Sequence, residues 1–292
     1  MYLSVLIVTW NSQDHIASCL SSVQKQGEGL SSEVIVVDNA SEDETRDIIS
    51  RDFPTVQVIH NVENIGFTRG CNRGLAECRG QFILLLNPDT EVMPGSLNRM
   101  VQYMEAHSHV GGLGPQLLYP DGRIQLSCRQ FPTYSLMLWE FSGLSVLFPK
   151  SRIFGDWRMG HFDHCQLRAV DQPMGACLLI RKSALEEIGV LDEQFKMFFS
   201  DVDLCRRLKY AGWEIIFLPT AQVVHDMGSS VQRARGRMLV ASHRDCYRYF
   251  KKYRVGALDY LYSWMLGLGL LLSLPVRALA AWLRSVLFTA SW

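Results

Sequence analysis

The stretch that decides the fold is "FILLLNPDTEV", residues 82–92. Its first five residues are apolar, which is typical of a strand covered on both faces. The run then ends abruptly at Asn87, Pro88 and Asp89. Similar apolar runs come earlier in the chain, at residues 3–10, 33–38 and 56–60. Helical patterns separate the four runs, and strands that alternate with helices predict a parallel sheet flanked by helices.

Polar side chains stand where these predicted strands end. They are Thr9 and Asn11 after the first strand, Asp38 and Asn39 after the second, and Asn87 and Asp89 after the fourth. Because ligands lie at the carboxyl ends of the strands in such sheets, we expect these side chains to form one site. Asp38 and Asp89 at neighbouring strand ends would repel each other unless a cation or a hydrogen-bond donor lay between them. Mg²⁺ and Mn²⁺ suit such carboxylates together with substrate phosphates, and His225 offers a further ligand.

Each of these residues also has a purely structural interpretation. Asp89 follows a proline at a strand end, where acids commonly form turns, and a lone histidine such as His225 is more often structural. Asp201 and Asp203 lie in "FFSDVDLCRR", residues 198–207. Positions two apart on a helix do not share a face, so we expect one of the two acids at most to face the site. Asp201 is the candidate general base, with helix capping as the alternative.

The segment "ENIGFTRGCNRGL", residues 63–75, contains Gly66, Gly70 and Gly74 where a helix is predicted. Each glycine inside a helix costs about 1 kcal/mol relative to alanine. Close approach of the backbone to a ligand would explain these glycines. Tight packing of the helix on the sheet would explain them equally well.

Composition and missing motifs argue against several classes of protein. The 292-residue chain has a formal net charge of +0, so we expect no nucleic-acid partner. Its 8 cysteines are scattered singly, which favours a reduced compartment over a disulfide scaffold. The chain has neither a G-x-G-x-x-G after the first strand nor a P-loop, which argues against a dehydrogenase and an NTPase. The cluster "HFDHC", residues 161–165, matches no usual zinc spacing, and we expect an acceptor-side loop there.

The C-terminal region differs in composition from the rest of the chain. Residues 260–276 form an uncharged segment whose length is at the lower limit for crossing a bilayer. Pro275 argues against a clean span. Basic residues precede this segment: Arg233, Arg235, Arg237, Arg244, Arg248, Lys251, Lys252 and Arg254. Such a pattern attracts anionic lipid, so we expect a re-entrant or in-plane helical anchor. A buried helical hairpin or a homo-oligomer interface is the alternative. No secretory signal is recognised, and we expect a protein on the cytosolic side.

Taken in order, these motifs resemble the family 2 glycosyltransferases of the glycosyltransferase-A fold, and within them the bacterial rhamnosyltransferase-like branch. The matching motifs are "VTWN" at 8–11, "VVDNASED" at 36–43, "NVENIGFTRGCNRGL" at 61–75, "NPDT" at 87–90, "PQLLYPDGRIQLSCRQFP" at 115–132, "MGACLLIRKSAL" at 174–185, "FFSDVDLCRR" at 198–207 and "HDMGSS" at 225–230. Any one motif is weak, but their order and spacing over residues 3–230 are highly specific.

The resemblance implies an α/β fold with a mostly parallel central sheet. A catalytic domain is expected over residues 1–232, with a nucleotide half at 1–110 and an acceptor half at 111–232. A helical, membrane-associating tail is expected over residues 233–292.

The resemblance also implies a role for each matched position. Contacts with the nucleotide sugar are expected from Thr9, Asn11, Asp38, Asn39, Asn64, Gly66, Arg69 and Asn87. Asp89 and His225 would hold Mn²⁺ or Mg²⁺, and Asp201 would be the inverting general base. The residues expected on the acceptor side are Gly175, Ala176 and Ser200. Ser200 departs from the pattern, because the family commonly has glutamate there.

The expected reaction follows from these roles. A dTDP-rhamnose donor is the branch-level expectation, with UDP-sugars as the alternative. The expected acceptor is a lipid-diphosphate-linked glycan of bacterial surface polysaccharide or O-antigen synthesis. We expect a peripheral or monotopic protein on the cytoplasmic side of the inner membrane, in contact with anionic lipid.

Two rival interpretations remain open from the sequence. A non-catalytic membrane-associated scaffold of the same fold would fit the serine at position 200. A sugar nucleotidyltransferase would need a Gly-rich loop with Arg and Lys after the first strand, which "TWNSQDH", residues 9–15, does not offer.

Overall fold

The computed structural model describes the backbone of residues 2–27, 29–226 and 235–289, and side chains in these ranges except at 235–237 and 274–289. In chain order the strands are β1 (Leu3–Thr9), β2 (Ser32–Asp38), β3 (Gln57–His60), β4 (Phe82–Leu86), β5 (Thr90–Val92), β6 (Val110–Leu118), β7 (Ile124–Gln125), β8 (Cys128–Arg129), β9 (Arg168–Ala169), β10 (Gln172–Pro173), β11 (Cys177–Arg181) and β12 (Glu214–His225). The helices are α1 (Ile16–Gln26), α2 (Thr45–Asp52), α3 (Phe67–Leu75), α4 (Ser96–Ala106), α5 (Tyr134–Phe141), α6 (Leu144–Leu147), α7 (Lys182–Ile188), α8 (Ser200–Tyr210), α9 (Arg235–Lys252) and α10 (Ala257–Thr289).

The main sheet is mixed, with a parallel half formed by the first four strands. In the described part of the chain its order is β3-β2-β1-β4-β11-β6-β12-β5, and β7 and β9 extend it. Strands β3, β2, β1 and β4 are parallel, as are β6 and β12. Strand β11 is antiparallel to both β4 and β6 and so joins the two halves. The predicted α/β class is confirmed, and the antiparallel β11 makes the sheet mostly rather than wholly parallel.

Helices cover both faces of the sheet, as the unbroken apolar runs predict. On β1, Leu3, Val5 and Ile7 point to one layer, which contains helices α1, α2 and α4. Leu6 and Val8 point to the other layer, which contains α3, α7 and α8. Because successive side chains of a strand alternate between faces, burial on both sides requires an apolar residue at nearly every position.

The glycines of α3 serve close packing against the sheet. A Cβ on Gly74 would stand 2.2 Å from Leu6 Cδ1 and 2.9 Å from Val37 Cγ2, and one on Gly70 would stand 2.8 Å from Val8 Cγ1. Real Cβ atoms do not approach neighbours this closely, so larger residues would push α3 off β1 and β2. Of the two explanations that the sequence left open, packing therefore accounts for these two glycines.

Helix α9 and the residue after it are bonded to helix α8 and to the segment that precedes α8. Asp203 on α8 is fully buried and accepts hydrogen bonds from Lys252 Nζ at 2.5 Å and Tyr253 Oη at 2.7 Å. Asp245, also fully buried, accepts from the backbone N–H of Phe198 at 3.3 Å. Helix α9 thus holds the segment that leads into α8. The predicted domain boundary at 232–233 lies outside the described residues and stays a prediction.

Helix α10 presents a broad apolar surface. Its exposed apolar side chains are Leu258, Tyr260, Leu261, Tyr262, Trp264, Met265, Leu268, Leu271 and Leu272. Among residues 257–273, the part of α10 whose side chains are described, only a narrow stripe that includes Ser263 and Leu270 is buried. In the described residues no helix has both the length and the hydrophobicity needed to cross a bilayer. Of the predicted basic belt, Arg233 and the side chains of Arg235 and Arg237 lie outside the described residues.

Candidate active site

The polar residues predicted at the strand ends form one edge of the sheet, here called the rim. Strand β1 lies at its centre, with β2 on one side and β4 on the other. Thr9, the last residue of β1, is paired with Asp38 of β2. The Thr9 hydroxyl is buried and has no hydrogen-bond partner. A buried polar group without a partner costs free energy, so this hydroxyl is suited to a ligand that supplies the missing bond.

The Asp38 carboxylate is hydrogen-bonded to residues that follow β2 in the chain. Its carboxylate accepts from Arg46 Nε at 2.5 Å and from the backbone N–H of Ser41 at 3.2 Å. Because β1 separates β2 from β4, Asp38 and Asp89 do not stand on neighbouring strands. Of the two expected ways to relieve the repulsion, a donor is present at Asp38, because Arg46 balances its charge.

Asn11 and Asn39 are also engaged in protein contacts. The Asn11 side chain accepts from the backbone N–H of Glu42 at 2.8 Å. The Asn39 amide donates to Gly66 O at 3.1 Å and accepts from Asn61 Nδ2 at 2.6 Å. These bonds join the ends of β1 and β2 to the start of α3 and shape the predicted nucleotide side of the rim.

The residues predicted near the nucleotide at the start of α3 are more exposed. Asn64 accepts from the backbone N–H of Gly66 at 3.0 Å, and Gly66 has φ of +89°, which glycine adopts without strain. Arg69 Nε forms a surface ion pair with Glu193 Oε2 at 3.0 Å. The Arg69 guanidinium, 61% exposed, remains accessible to a ligand.

Asp89 and His225 form the opposite side of the rim, brought together by the antiparallel pair β5 and β12. His225 Nε2 lies 3.5 Å from Asp89 Oδ1, and this oxygen is buried with no hydrogen-bond partner. Burial raises the pKa of the Asp89 carboxyl above its ordinary value, against the opposing effect of His225. Burial likewise lowers the pKa of His225, which favours the neutral imidazole.

The tautomer of His225 explains why this pair lacks a hydrogen bond. His225 Nδ1 is 2.8 Å from Gln125 Oε1, an oxygen that can only accept, so Nδ1 carries the hydrogen. The other nitrogen, Nε2, then offers a lone pair and faces the equally electron-rich Asp89 Oδ1. Two acceptors turned towards each other in a buried site suit a cation. A hydrogen bond from the other ring nitrogen that fixes the imidazole, as Nδ1 makes here with Gln125, is typical of histidine ligands.

The chemistry of these two groups fits a divalent ion that also binds substrate. No cluster of three or more His, Cys, Asp or Glu side chains that could hold a metal occurs among the described residues. Asp89 and His225 are only two ligands, which is the number expected where phosphate oxygens complete the coordination shell. In the "HFDHC" cluster, His164 has a structural contact: it is buried, and its Nε2 accepts from the backbone N–H of Cys128 at 3.1 Å.

Asp201, in the first turn of α8, has its carboxylate fixed by three donors. Oδ2 accepts from Gln172 Nε2 at 2.9 Å and from the backbone N–H of Gly175 at 3.0 Å, and Oδ1 accepts from the N–H of Val202 at 2.9 Å. Burial raises the pKa of Asp201 above its ordinary value, although these bonds act in the opposite direction. A fixed carboxylate with a raised pKa and a free lone pair on Oδ1 is suited to accept a proton.

The entry into α8 is strained. Phe199, two residues before Asp201, has φ of +65°, which is rare for a residue with a side chain. Asn11 and Ala40, at the ends of β1 and β2, also have positive φ values of 50° and 60°. Such strain is maintained where surrounding contacts determine it, and it concentrates at functional sites.

The prediction that one of the two α8 acids at most faces the site is confirmed. Asp203 points to the other side of the helix, where it is bonded to Arg207 Nε at 2.8 Å and to helix α9. Asp201 is bonded instead to the segment before β11. The two carboxylates thus have separate tasks, one structural and one available for chemistry.

The residues predicted on the acceptor side connect Asp201 to the exit of β4. Ala176 O accepts from the backbone N–H of Asn87 at 2.9 Å, and the adjacent Gly175 holds Asp201. The chain thus places Asp201 beside the Asn87-Pro88-Asp89 segment. Ser200 is 1% exposed, so its side chain is turned into the protein.

Gln125 and Gln172 are site residues that sequence reasoning missed. Gln125 fixes His225, and Gln172 fixes Asp201. Both are neutral, and both act on partners at least 29 positions away in the chain. The sequence signals them only by their positions relative to the matched motifs. Gln125 lies inside "PQLLYPDGRIQLSCRQFP", and Gln172 lies two residues before "MGACLL".

Known proteins resemble this chain in sequence and in fold. The profile of "Glycosyl transferase family 2" matches residues 4–189. The N-acetylglucosaminyl-diphospho-decaprenol L-rhamnosyltransferase of Mycobacterium tuberculosis is 30% identical over 84% of this chain and 82% of its own length. The rhamnosyltransferase WbbL of Escherichia coli is 28% identical over 49% of this chain and 52% of its own length.

A solved structure extends the likeness to the fold. The mannosyltransferase PcManGT of Pyrobaculum calidifontis, in complex with GDP-Man and Mn²⁺, has a TM-score of 0.60 at 17% identity. The match covers 99% of this chain and 80% of that one. The family profile covers more than half of this chain, and the fold agrees with it. The chain is a glycosyltransferase that belongs to glycosyl transferase family 2, in its rhamnosyltransferase-like branch, and it has the glycosyltransferase-A fold.

Proposed function

We propose that this protein transfers an L-rhamnosyl residue, with inversion, from dTDP-rhamnose to a hydroxyl of a lipid-diphosphate-linked glycan. The observation that carries the proposal is the carboxylate of Asp201, fixed by Gln172 and Gly175 beside the exit of β4 that bears Asp89. One edge of the sheet thus holds both a proton acceptor and a pair of groups suited to a cation.

Asp201 acts as the general base in this proposal. Its Oδ1 accepts one protein hydrogen bond, so it can also accept the hydroxyl proton of the acceptor. The oxygen that loses the proton attacks the anomeric carbon from the face opposite the diphosphate. The new glycosidic bond forms as the bond to the diphosphate breaks, which inverts the anomeric centre.

Asp89 and His225 would hold the divalent ion, Mn²⁺ or Mg²⁺. Such an ion stabilises the charge that develops on the diphosphate leaving group. The residues that contribute are the orphaned oxygen of Asp89 and the Nε2 lone pair of His225, with Gln125 setting the tautomer. The Mn²⁺ in the complex of the structurally similar mannosyltransferase supports this assignment.

The donor and acceptor follow from the similar proteins. The Mycobacterium tuberculosis relative is named for rhamnosyl transfer to N-acetylglucosaminyl-diphospho-decaprenol. On the nucleotide side, the free Thr9 hydroxyl and the accessible Arg69 are the groups available to a nucleoside diphosphate. The remaining predicted contacts, Asn64, Gly66 and Asn87, are proposed to shape this side.

A transfer assay tests the proposal directly. The purified protein, dTDP-rhamnose, Mn²⁺ and a farnesyl-linked N-acetylglucosaminyl diphosphate are expected to yield a rhamnosylated lipid, detected by mass spectrometry. The anomeric configuration of the product, read by NMR, should be opposite to that of the donor. UDP-glucose and GDP-mannose serve as control donors. Transfer from a control donor alone would replace the proposed sugar, and absence of transfer from every donor would refute the proposal.

We propose in addition that the protein binds the cytoplasmic surface of the membrane through α10, consistent with a lipid-linked acceptor. Aromatic residues lie at the start of the exposed surface, at Tyr260 and Trp264, and aliphatic ones follow at Leu268 and Leu271. This order matches the change from headgroup to hydrocarbon in a bilayer. Lys251, which is exposed at the end of α9, adds positive charge that favours anionic lipid.

Vesicle sedimentation tests this surface. We expect the protein to sediment with vesicles that contain phosphatidylglycerol and to bind neutral phosphatidylcholine vesicles more weakly. The double variant Leu261→Glu with Leu268→Glu should weaken binding at least about tenfold, because it places charge on one face of α10. Val62→Glu, at a fully exposed apolar position outside α10, is the control. A dimer in solution that fails to bind vesicles would assign α10 to self-association instead.

A further inference from the structure

Arg129 is a cation without an anionic partner at the edge of the candidate site. Its Nη1 donates to two backbone carbonyls, Leu126 O and Cys128 O, each at 2.7 Å. In the described part of the chain no carboxylate lies within ion-pair distance of it, and Nε and Nη2 make no hydrogen bond. Burial, together with the neighbouring Arg158, lowers the pKa of Arg129 to about 10. The arginine is thus held in a place that is unfavourable for its charge.

Among the described residues, Glu140 attracts Arg129 by its charge but forms its ion pair with Arg158. Arg158 is nearby, but it is bonded through Nε to Glu140 at 2.9 Å, so that pair is already balanced. Trp157 lies beneath the guanidinium, with its ring centre 5.9 Å from Arg129 Cζ. The Trp157 ring and the two carbonyls fix the plane of the guanidinium. Its other edge, formed by Nε and Nη2, has no protein partner among the described residues.

Arg129 lies in the two-stranded sheet formed by β8 and β10, and this position places it beside Asp201, the proposed base. Strand β8 pairs with β10 in antiparallel register, and Arg129 stands directly opposite Gln172. Directly opposed residues project from the same face of a sheet, and Gln172 uses that face to bind Asp201. Four residues earlier, Gln125 holds His225. The segment 125–129 therefore runs from the proposed metal ligand to the proposed base.

We propose that Arg129 binds a phosphate oxyanion of the acceptor, namely the diphosphate that joins its sugar to the lipid. A planar guanidinium with a free edge recognises phosphate through paired charge-assisted hydrogen bonds. The donor diphosphate belongs with Asp89 and His225 on the far side of this segment, whereas Arg129 is on the side of Asp201, where the acceptor hydroxyl must stand. This inference rests on the proposed function for the identity of the acceptor.

Direct binding measurements test Arg129 apart from catalysis. Calorimetric titrations use the full protein with Mn²⁺ and saturating dTDP, which occupies the donor side. The two probes are a farnesyl-linked N-acetylglucosaminyl diphosphate and octyl N-acetylglucosaminide, which lacks phosphate. Arg129→Gln is expected to weaken binding of the diphosphate probe about 10- to 100-fold and to leave the octyl glycoside unchanged. Arg123→Gln, at an exposed arginine of the same motif paired with Asp121, is the control and should change neither.

Three results would count against the proposal. Equal weakening of both probes would show a structural role, and weakened dTDP binding would place the donor diphosphate at Arg129. Failure of the wild type to bind the diphosphate probe would also overturn it. Arg129→Lys keeps the charge but not the paired geometry, so it should lose less affinity for the diphosphate probe than Arg129→Gln and none for the octyl glycoside. It replaces Arg129→Gln in the test if that variant does not fold. If selective binding is observed but no rhamnosyl transfer occurs, the proposed reaction fails and the Arg129 site stands.

Discussion

Replacement of Asp201 by asparagine is expected to lower kcat about 10²- to 10⁴-fold, the range that a general base contributes. An amide cannot take up the proton of the acceptor hydroxyl, although its size and its bonds to Gln172 and Gly175 are largely kept. KM for the nucleotide sugar should change little, because the base does not contact the donor diphosphate. Initial rates at varied donor and acceptor concentrations measure both quantities.

Asp203→Asn is the matched control on the same helix. Asp203 is fully buried and accepts from Arg207, Lys252 and Tyr253, so its loss of charge should lower the melting temperature. The folded fraction of that variant should keep its turnover. Full turnover by Asp201→Asn would show that another group takes up the proton, and it would refute the role of Asp201 as the base.

The pH dependence of turnover provides a second test of Asp201. A general base works in its ionised form, so the rate falls as pH decreases through the pKa of that group. Burial raises the pKa of Asp201, and the acidic limb of the profile should therefore lie above 3.8, the ordinary value of an aspartate. The residual activity of Asp201→Asn should lack this limb. An acidic limb that persists unchanged in the variant would assign it to another group.

Much of the nucleotide half could be predicted because its signals are local. An apolar residue at nearly every position of β1 or β4 indicates a strand buried on both faces, and polar residues at its end indicate the site. Asp89 and His225 do come together, although they are 136 positions apart, because each ends or follows a strand of the same sheet. The order of matched motifs supplied this connection.

The features that could not be predicted depend on the order of strands and on distant contacts. No local pattern shows that β1 lies between β2 and β4, and this order separates Asp38 from Asp89. Gln125 and Gln172 act through hydrogen bonds across strands that are two residues long, too short to leave a periodic signal. The bond from Asp245 of α9 to the segment before Asp201 likewise joins parts that the composition of the chain would assign to separate units.

The replacement of Asp89 by alanine should abolish the metal-dependent part of nucleotide-sugar binding. In the wild type, dTDP-rhamnose at 100 times its dissociation constant with Mn²⁺ should add about 2.7 kcal/mol to the free energy of unfolding. In the variant, the ion loses the buried oxygen that has no other partner, so the addition of Mn²⁺ should no longer increase this stabilisation. Thermal unfolding with and without metal, and with and without nucleotide sugar, measures the difference.

Without ligands, the Asp89→Ala substitution should not lower the free energy of unfolding. Burial raises the pKa of Asp89 in the folded state, so the ionised carboxylate destabilises the fold once the pH exceeds the value of the unfolded chain. This penalty is absent at low pH and complete above the folded-state pKa, and alanine removes it. At neutral pH the ligand-free Asp89→Ala protein should therefore be at least as stable as the wild type. In the wild type, Asp89 lowers the stability of the fold, which is typical of a residue kept for function.

Glu91→Ala is the control, because Glu91 is an exposed acid two residues further along the same segment. It should change neither the stability of the ligand-free protein nor the effect of Mn²⁺. If Asp89→Ala lowered the stability of the ligand-free protein but left the effect of Mn²⁺ intact, Asp89 would be a structural turn residue and not a metal ligand.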